Sequence, residues 1–149
     1  MVRTETRVLV VDDDRRLAET LARQLRGRGY DVTTAYNIGD AKIVIESLEP
    51  DVLLSDLEIG PELGTELLMW ADSHDFGPCC ILMTGTPGFT MPSRLRHVPL
   101  LAKPFRMDEL VELIDARGVS DVLAATLASE QLLNDAHNPG DRPNVPLGV

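Results

Sequence analysis

Cysteine is scarce in this sequence, and the two cysteines present, Cys79 and Cys80, are adjacent. Neighbouring side chains of a strand point to opposite faces, so a disulfide between them is not expected. The sequence contains no CxxC motif and no closely spaced histidine pair, the usual signs of a zinc site. We therefore expect both cysteines to be small core side chains.

Long apolar runs are also missing. No run approaches the roughly 20 residues that a membrane helix needs, and the first segment, MVRTETRVLVV, lacks the basic region and long apolar core of a signal peptide. Basic residues are outnumbered by acidic ones, giving a net charge of −10, which argues against direct nucleic-acid binding. A cytoplasmic protein with no membrane or nucleic-acid partner is expected.

Hydrophobic residues make up 44% of the 149 residues, which indicates one globular domain with a possible appendage. Short strand-like segments alternate with apolar stripes at helical spacing. The predicted strands are Arg7–Val11, Tyr30–Ala35, Asp51–Ser55, Cys79–Thr84 and Val98–Ala102. This alternation predicts an α/β, doubly wound fold, in which helices cover both faces of a five-stranded parallel sheet.

One connection departs from the alternation. The segment after Thr84 contains Gly85, Pro87, Gly88 and Pro92. These residues leave room for little more than one helical turn, so the fourth helix is expected to be shortened or missing.

Polar side chains lie at the carboxyl ends of four of the predicted strands: Asp12 and Asp13, then Asp56, Thr84 and Lys103. Right-handed crossovers bring the carboxyl ends of parallel strands to one edge, where sites of such sheets form. Asp14 is expected to cap the first helix. Asp12 and Asp13 are then two further acids before the same helix, which is more than capping needs. Clustered carboxylates favour the binding of Mg²⁺. A carboxylate can also attack a phosphoryl group as a nucleophile. The ammonium of Lys103 and the hydroxyl of Thr84 could then bind the phosphoryl oxygens.

Four spaced motifs now resemble a known family, the receiver domains of two-component response regulators. They are 8-VLVVDDD-14, 52-VLLSDLEIGPELG-64, 81-ILMTG-85 and 101-LAKPF-105. The resemblance covers residues 6 to about 117, and it implies a flavodoxin-like sheet with strand order 2-1-3-4-5.

The resemblance also implies a role for each residue of the site. Asp56 would be the phosphoacceptor, Thr84 the switch hydroxyl and Lys103 the phosphate-pairing cation. The Mg²⁺ ligands would be Asp13 directly, Asp12 through water, Asp56, and the backbone carbonyl of Glu58. The Lys103–Pro104 peptide would be cis, and the phosphoryl donor would be a phosphohistidine on a sensor histidine kinase or a histidine phosphotransfer protein.

The sequence departs from the family at positions that matter for output. Most receivers carry an aromatic residue three places before the lysine, where this sequence has Leu100. In the family this aromatic swings inward when the switch hydroxyl moves toward the phosphate, and Leu100 has no polar tip with which to make that movement. The Thr84-Gly85 pair without that aromatic is similar to atypical single-domain receivers with a Thr-Gly loop, and to receivers of hybrid kinases. By the same resemblance, the side chain of Glu58, two residues after Asp56, would face the attacking water and tune autodephosphorylation, and Thr86, two residues after Thr84, would sit in a comparable place.

The domain organisation expected from these patterns is a receiver over residues 1–118 and a tail over 119–149. Apolar residues at helical spacing predict an amphipathic helix at 119–136, followed by a flexible end rich in proline and glycine. That helix is expected to pack on its own domain or to contact a second copy or another partner. No output domain is expected after Gly118.

The leading hypothesis is a stand-alone receiver, a signalling domain with self-phosphorylation and autodephosphorylation chemistry rather than a conventional enzyme. It would act in phosphorylation-dependent signalling or in a phosphorelay, with an unknown downstream protein. One alternative is a pseudo-receiver that binds partners without using phosphate. Another is a Mg²⁺-dependent aspartyl-phosphate phosphatase, for which Asp56 and Glu58 have a suitable spacing, but Asp12, Asp13 and the Lys-Pro pair would then be unexplained.

Overall fold

Five parallel strands form the central sheet of the computed structural model, which describes residues 5–116. In chain order the strands are β1 Arg7–Val11, β2 Asp31–Ala35, β3 Val52–Asp56, β4 Glu58–Ile59, β5 Glu62–Leu63, β6 Cys79–Thr84 and β7 Leu100–Ala102. The central sheet has the order β2-β1-β3-β6-β7, while β4 and β5 pair separately as an antiparallel hairpin. With the hairpin set aside, this is the predicted order 2-1-3-4-5, and the doubly wound fold is confirmed.

The helices follow the strands as the apolar spacing predicts. Their bounds are α1 Arg15–Arg26, α2 Ile38–Leu48 and α3 Gly64–Ser73. Asp14 caps α1, since its carboxylate accepts a hydrogen bond from the Leu17 amide at 3.2 Å. Asn37 caps α2 in the same way, because its side-chain oxygen accepts from the Asp40 amide at 2.7 Å. Both caps satisfy amides that the first helical turn leaves without an intrahelical partner.

The shortened fourth helix is also confirmed: between β6 and β7 the described chain has a single 3₁₀ turn, Ser93–Leu95. The strand predicted to start at Val98 was wrong at its beginning, because β7 starts at Leu100. The Val98 amide donates to the Leu95 carbonyl at 2.9 Å and so belongs to the turn, and Pro99 has no amide to donate to a neighbouring strand. The edge strand β7 is therefore only three residues long.

The core of the sheet is built from apolar strands that are covered on both faces. Leu9, Leu53 and Leu82, on three adjacent strands, are completely buried, as expected for a parallel sheet between helical layers. Cys79 and Cys80 are partly buried, and Cys80 packs against this core. Burial raises the pKa of the Cys80 thiol to about 12, which keeps it protonated and unreactive at neutral pH.

The chain divides into two compact units, Met1–Val111 and Glu112–Val149. All strands named above and α1–α3 belong to the first unit, whose last residues, 107–111, are helical. In the second unit residues 112–116 are described, and they are helical. The boundary predicted after residue 118 and the amphipathic helix predicted at 119–136 lie outside the described residues. Within residues 5–116, no helix combines the length and apolar character that a bilayer crossing requires.

Candidate functional site

Three carboxylates meet where β1 and β3 end. Asp12, Asp13 and Asp56 each offer one oxygen, and these oxygens lie within 4.8 Å of one another. Asp12 is buried, Asp56 is half-buried and Asp13 is exposed. The cluster forms because β1 and β3 are adjacent and in parallel register, with Val11 beside Ser55, so the residues that follow emerge side by side.

Lys103 supplies the ammonium group of the site. Its Nζ lies 2.9 Å from an Asp56 carboxylate oxygen and 3.4 Å from an Asp12 oxygen. The lysine is held in place by its backbone, since its amide donates to the Thr84 carbonyl at 2.8 Å. The next peptide, Lys103–Pro104, is cis, as predicted.

The charges of the site do not balance. Burial raises the pKa of Asp12, and the Asp14 amide and the Lys103 ammonium offset this only in part. Burial by itself lowers the pKa of Lys103, but its hydrogen bond to Asp56 and the charges of Asp12 and Asp56 outweigh that effect and raise the pKa. Lys103 is therefore protonated at neutral pH. One ammonium facing three carboxylates leaves a deficit of positive charge that a hard divalent cation would fill.

Thr84 ends β6 beside this cluster. Asp56 lies opposite Met83 in the register of β3 and β6, so Thr84 continues from the same edge. The Thr84 hydroxyl is buried, and its oxygen accepts a hydrogen bond from the Thr86 amide at 2.9 Å. Because that oxygen is the acceptor, the hydroxyl keeps its own proton available to donate.

The two residues expected to face the attacking water contact each other. The Thr86 hydroxyl donates to a Glu58 carboxylate oxygen at 3.5 Å, which is at the outer limit of a hydrogen bond. Among the described residues, the Glu58 carboxylate is not part of the acid cluster. Leu100, at the position of the missing aromatic, lies at the start of the edge strand β7 and is 39% exposed.

The hairpin of β4 and β5 is a part of the site that sequence reasoning missed. It begins two residues after Asp56 and contains Glu58. The amide of Gly60, at the tip of the hairpin, donates to an Asp13 carboxylate oxygen at 3.1 Å. This hydrogen bond joins the hairpin to the acidic loop Asp12–Asp14 that follows β1. A Gly-Pro pair such as Gly60-Pro61 is typical of a turn, but it gives no sign of the two short strands beside it.

Gly64 and Ser55 also support the site and were not singled out from the sequence. A Cβ atom on Gly64 would overlap the Asp56 carbonyl oxygen and lie 2.8 Å from the Ser55 hydroxyl oxygen. The start of α3 therefore packs directly on the backbone of Asp56. The only sequence signal for this contact was a glycine at the beginning of an otherwise ordinary helix.

The comparisons with known proteins agree with this geometry. A family model described as a response regulator receiver domain matches residues 8–115. The DNA-binding response regulator MtrA of Mycobacterium tuberculosis is 32% identical over 113 residues, which are 74% of this chain and 50% of MtrA. The chain thus spans about half the length of the curated relatives it matches.

Solved structures show the same likeness. A receiver domain protein from Methanospirillum hungatei is 27% identical with a TM-score of 0.68, over 76% of this chain and 94% of that chain. The response regulator TrrA of Thermotoga maritima, solved in complex with Mg²⁺–BeF, is also 27% identical with a TM-score of 0.68. That match covers 74% of this chain and 97% of TrrA.

Proposed function

The chain belongs to the family of response regulator receiver domains, and we propose that it accepts a phosphoryl group from a phosphohistidine onto Asp56 in the presence of Mg²⁺. One observation carries the proposal: a half-buried carboxylate lies 2.9 Å from a lysine ammonium and within 4.8 Å of two further carboxylates. The arrangement supplies a nucleophile, a cation for phosphoryl oxygens and a set of hard oxygen ligands in one place.

In the proposed reaction an Asp56 carboxylate oxygen attacks phosphorus in line with the donor nitrogen. The new P–O bond forms as the P–N bond breaks, and the electron pair of that bond stays on the imidazole. Lys103, already paired with Asp56, shifts its hydrogen bond to an oxygen of the transferred group. Thr84, with its hydroxyl proton available, donates to another oxygen, and this contact is the proposed start of the signal.

The residues that would hold Mg²⁺ are Asp12, Asp13, Asp56 and the backbone carbonyl of Glu58. When bound there, the ion would neutralise charge on the phosphoryl oxygens as they approach the carboxylates. The fit is supported by the deficit of positive charge described above and by the hairpin contact that brings Gly60 to Asp13.

The donor in this proposal is a sensor histidine kinase or a histidine phosphotransfer protein, and the downstream partner is another protein. DNA binding is a property of the whole MtrA relative, of which the match covers 50%, so no DNA partner is proposed for this domain. That the receiver works without an output domain, and that it serves a relay or a terminal output, stay predictions.

We expect the chain to gain one phosphate on incubation with acetyl phosphate and Mg²⁺, measured by intact-protein mass spectrometry. Removing Mg²⁺ with EDTA should abolish the gain, because the carboxylates would then repel the phosphoryl oxygens. A chain that forms no adduct and binds no beryllofluoride would instead be a pseudo-receiver. Steady turnover of p-nitrophenyl phosphate would favour the phosphatase alternative.

Mg²⁺ binding should also raise the stability of the folded state. At a concentration about a hundredfold above its dissociation constant, the ion should add about 2.7 kcal/mol to the free energy of unfolding. Thermal unfolding with and without Mg²⁺ measures this gain.

Asp13→Asn is the matched variant for that measurement. The asparagine oxygen can still accept from the Gly60 amide, but the lost charge should weaken Mg²⁺ binding by about tenfold or more. Without Mg²⁺ the variant should be at least as stable as the wild type, because one repulsive carboxylate is gone. Equal stabilisation of both proteins by Mg²⁺ would exclude Asp13 as a ligand.

A further inference from the structure

Ser55 carries a buried polar group in a strand that is otherwise apolar up to the acceptor. The strand β3 reads VLLSD, and Ser55 is completely buried. Its hydroxyl donates at 2.9 Å to the carbonyl oxygen of the next residue, Asp56. A buried hydroxyl is unfavourable without a partner, so this contact fixes where the hydroxyl points.

The neighbouring backbone explains why the residue is small. The hypothetical Cβ on Gly64 lies 2.8 Å from the Ser55 hydroxyl oxygen and 3.1 Å from the Asp56 carbonyl carbon. A large apolar side chain at position 55 would collide with the start of α3. Alanine would meet this limit on size equally well, so only the hydrogen bond to Asp56 distinguishes serine from alanine.

The two peptide groups after Asp56 are held from several sides. The Leu57 amide donates to the Met83 carbonyl at 2.8 Å, and the Leu57 carbonyl accepts from the Gly64 amide at 2.6 Å. Strand β6 thus binds the amide of the first peptide, and the start of α3 binds the carbonyl of the second. The Ser55 hydroxyl holds the remaining oxygen of the first peptide, the carbonyl of Asp56 itself.

The hairpin of the site begins where these peptides end. Glu58, whose carbonyl is a proposed Mg²⁺ ligand, is the first residue of β4. Gly60 then meets Asp13 through its amide. A rotation of the Asp56–Leu57 peptide would therefore turn the Glu58 carbonyl and move the Gly60 amide away from Asp13.

We propose that Ser55 is a positioning residue. Its hydroxyl fixes the orientation of the Asp56–Leu57 peptide, and this peptide in turn positions the hairpin of β4 and β5 beside the proposed Mg²⁺ ligands. The inference rests on the proposed function of that site. Ser55 touches neither the phosphoryl group nor the ion in this proposal, and acts only through the backbone of Asp56.

The test compares wild type, Ser55→Ala and the control Ile81→Val by two measurements. Ile81 is a buried residue of β6 paired with Leu54, and its truncation loosens the same part of the sheet without touching the Asp56 carbonyl. Calorimetric titration gives the Mg²⁺ dissociation constant. Amide hydrogen exchange of Leu57 and Gly60 in metal-free protein reports whether the hairpin is held.

Ser55→Ala should raise the Mg²⁺ dissociation constant by about twofold to tenfold, the range expected for one hydrogen bond. It should also speed amide hydrogen exchange at Gly60 in the metal-free protein. Ile81→Val should leave both the Mg²⁺ dissociation constant and the Gly60 exchange rate near their wild-type values. Wild-type values in Ser55→Ala, or the same changes in Ile81→Val, would overturn the inference. A wild-type protein that binds no Mg²⁺ would overturn the proposed function itself, and the inference with it.

Discussion

Asp56→Asn is expected to abolish phosphorylation by acetyl phosphate, with no adduct detected by intact mass under conditions that label the wild type fully. The amide is a poor nucleophile and carries no charge to hold Lys103 or Mg²⁺. The fold should survive, since asparagine has nearly the same shape and its oxygen can still accept from the Lys103 ammonium. Circular dichroism and thermal unfolding establish that the variant is folded.

The control for this variant is Asp72→Asn. Asp72 lies on α3 in an exposed ion pair with Arg94 at 3.7 Å, and its loss should change stability by no more than about 1 kcal/mol. Labelling of this control should equal that of the wild type. An adduct that persists in Asp56→Asn would assign the acceptor to another carboxylate, and peptide mapping would then show whether it is Asp12 or Asp13.

Gly64→Ala is expected to cause the largest loss of stability among single methyl additions at the site, about 3 kcal/mol in the free energy of unfolding. The new methyl group would overlap the Asp56 carbonyl oxygen, which belongs to the backbone and cannot swing aside as a flexible side chain does. Either α3 or the end of β3 must move, and both movements displace Asp56. Urea denaturation measures the stability, and acetyl phosphate labelling should slow as well.

Gly39→Ala provides the comparison within another helix. The Cβ added there would lie 3.4 Å from the side-chain oxygen of Asn37 and meet no other atom outside its own helix within 4 Å. Alanine should therefore be neutral or stabilise α2 by up to about 1 kcal/mol. Equal stability of the two variants would mean that α3 accommodates the methyl group easily and that Gly64 is not a constraint on the site.

Periodicity made much of the fold predictable from the sequence. The strands β1, β3 and β6 are apolar because helices cover them on both faces, and a pattern of that kind is visible without tertiary information. The cap Asp14 was equally predictable, because a capping side chain bonds to an amide two or three residues away. The order of the strands came from the family resemblance rather than from any of these patterns.

The local architecture around the site was less predictable. Two-residue strands such as β4 and β5 are too short for an alternating pattern, so the hairpin appeared only as a Gly-Pro turn. Ser55 and Gly64 act through close approach between a strand end and a helix start, and such an approach depends on packing rather than on spacing along the chain. The contact between Glu58 and Thr86 likewise joins residues 28 positions apart.

The distance in sequence between Asp12 and Lys103, 91 residues, has a consequence for the growing chain. Contacts between residues so far apart close a long loop and form slowly for that reason, and synthesis reaches Asp12 long before it reaches Lys103. A nascent chain that stops short of Lys103 has the Asp56 carboxylate without the ammonium group that pairs with it. On the proposed function, capture of a phosphoryl group would therefore require the finished sheet, and a kinase that phosphorylates this domain would at the same time select the molecules that have completed folding.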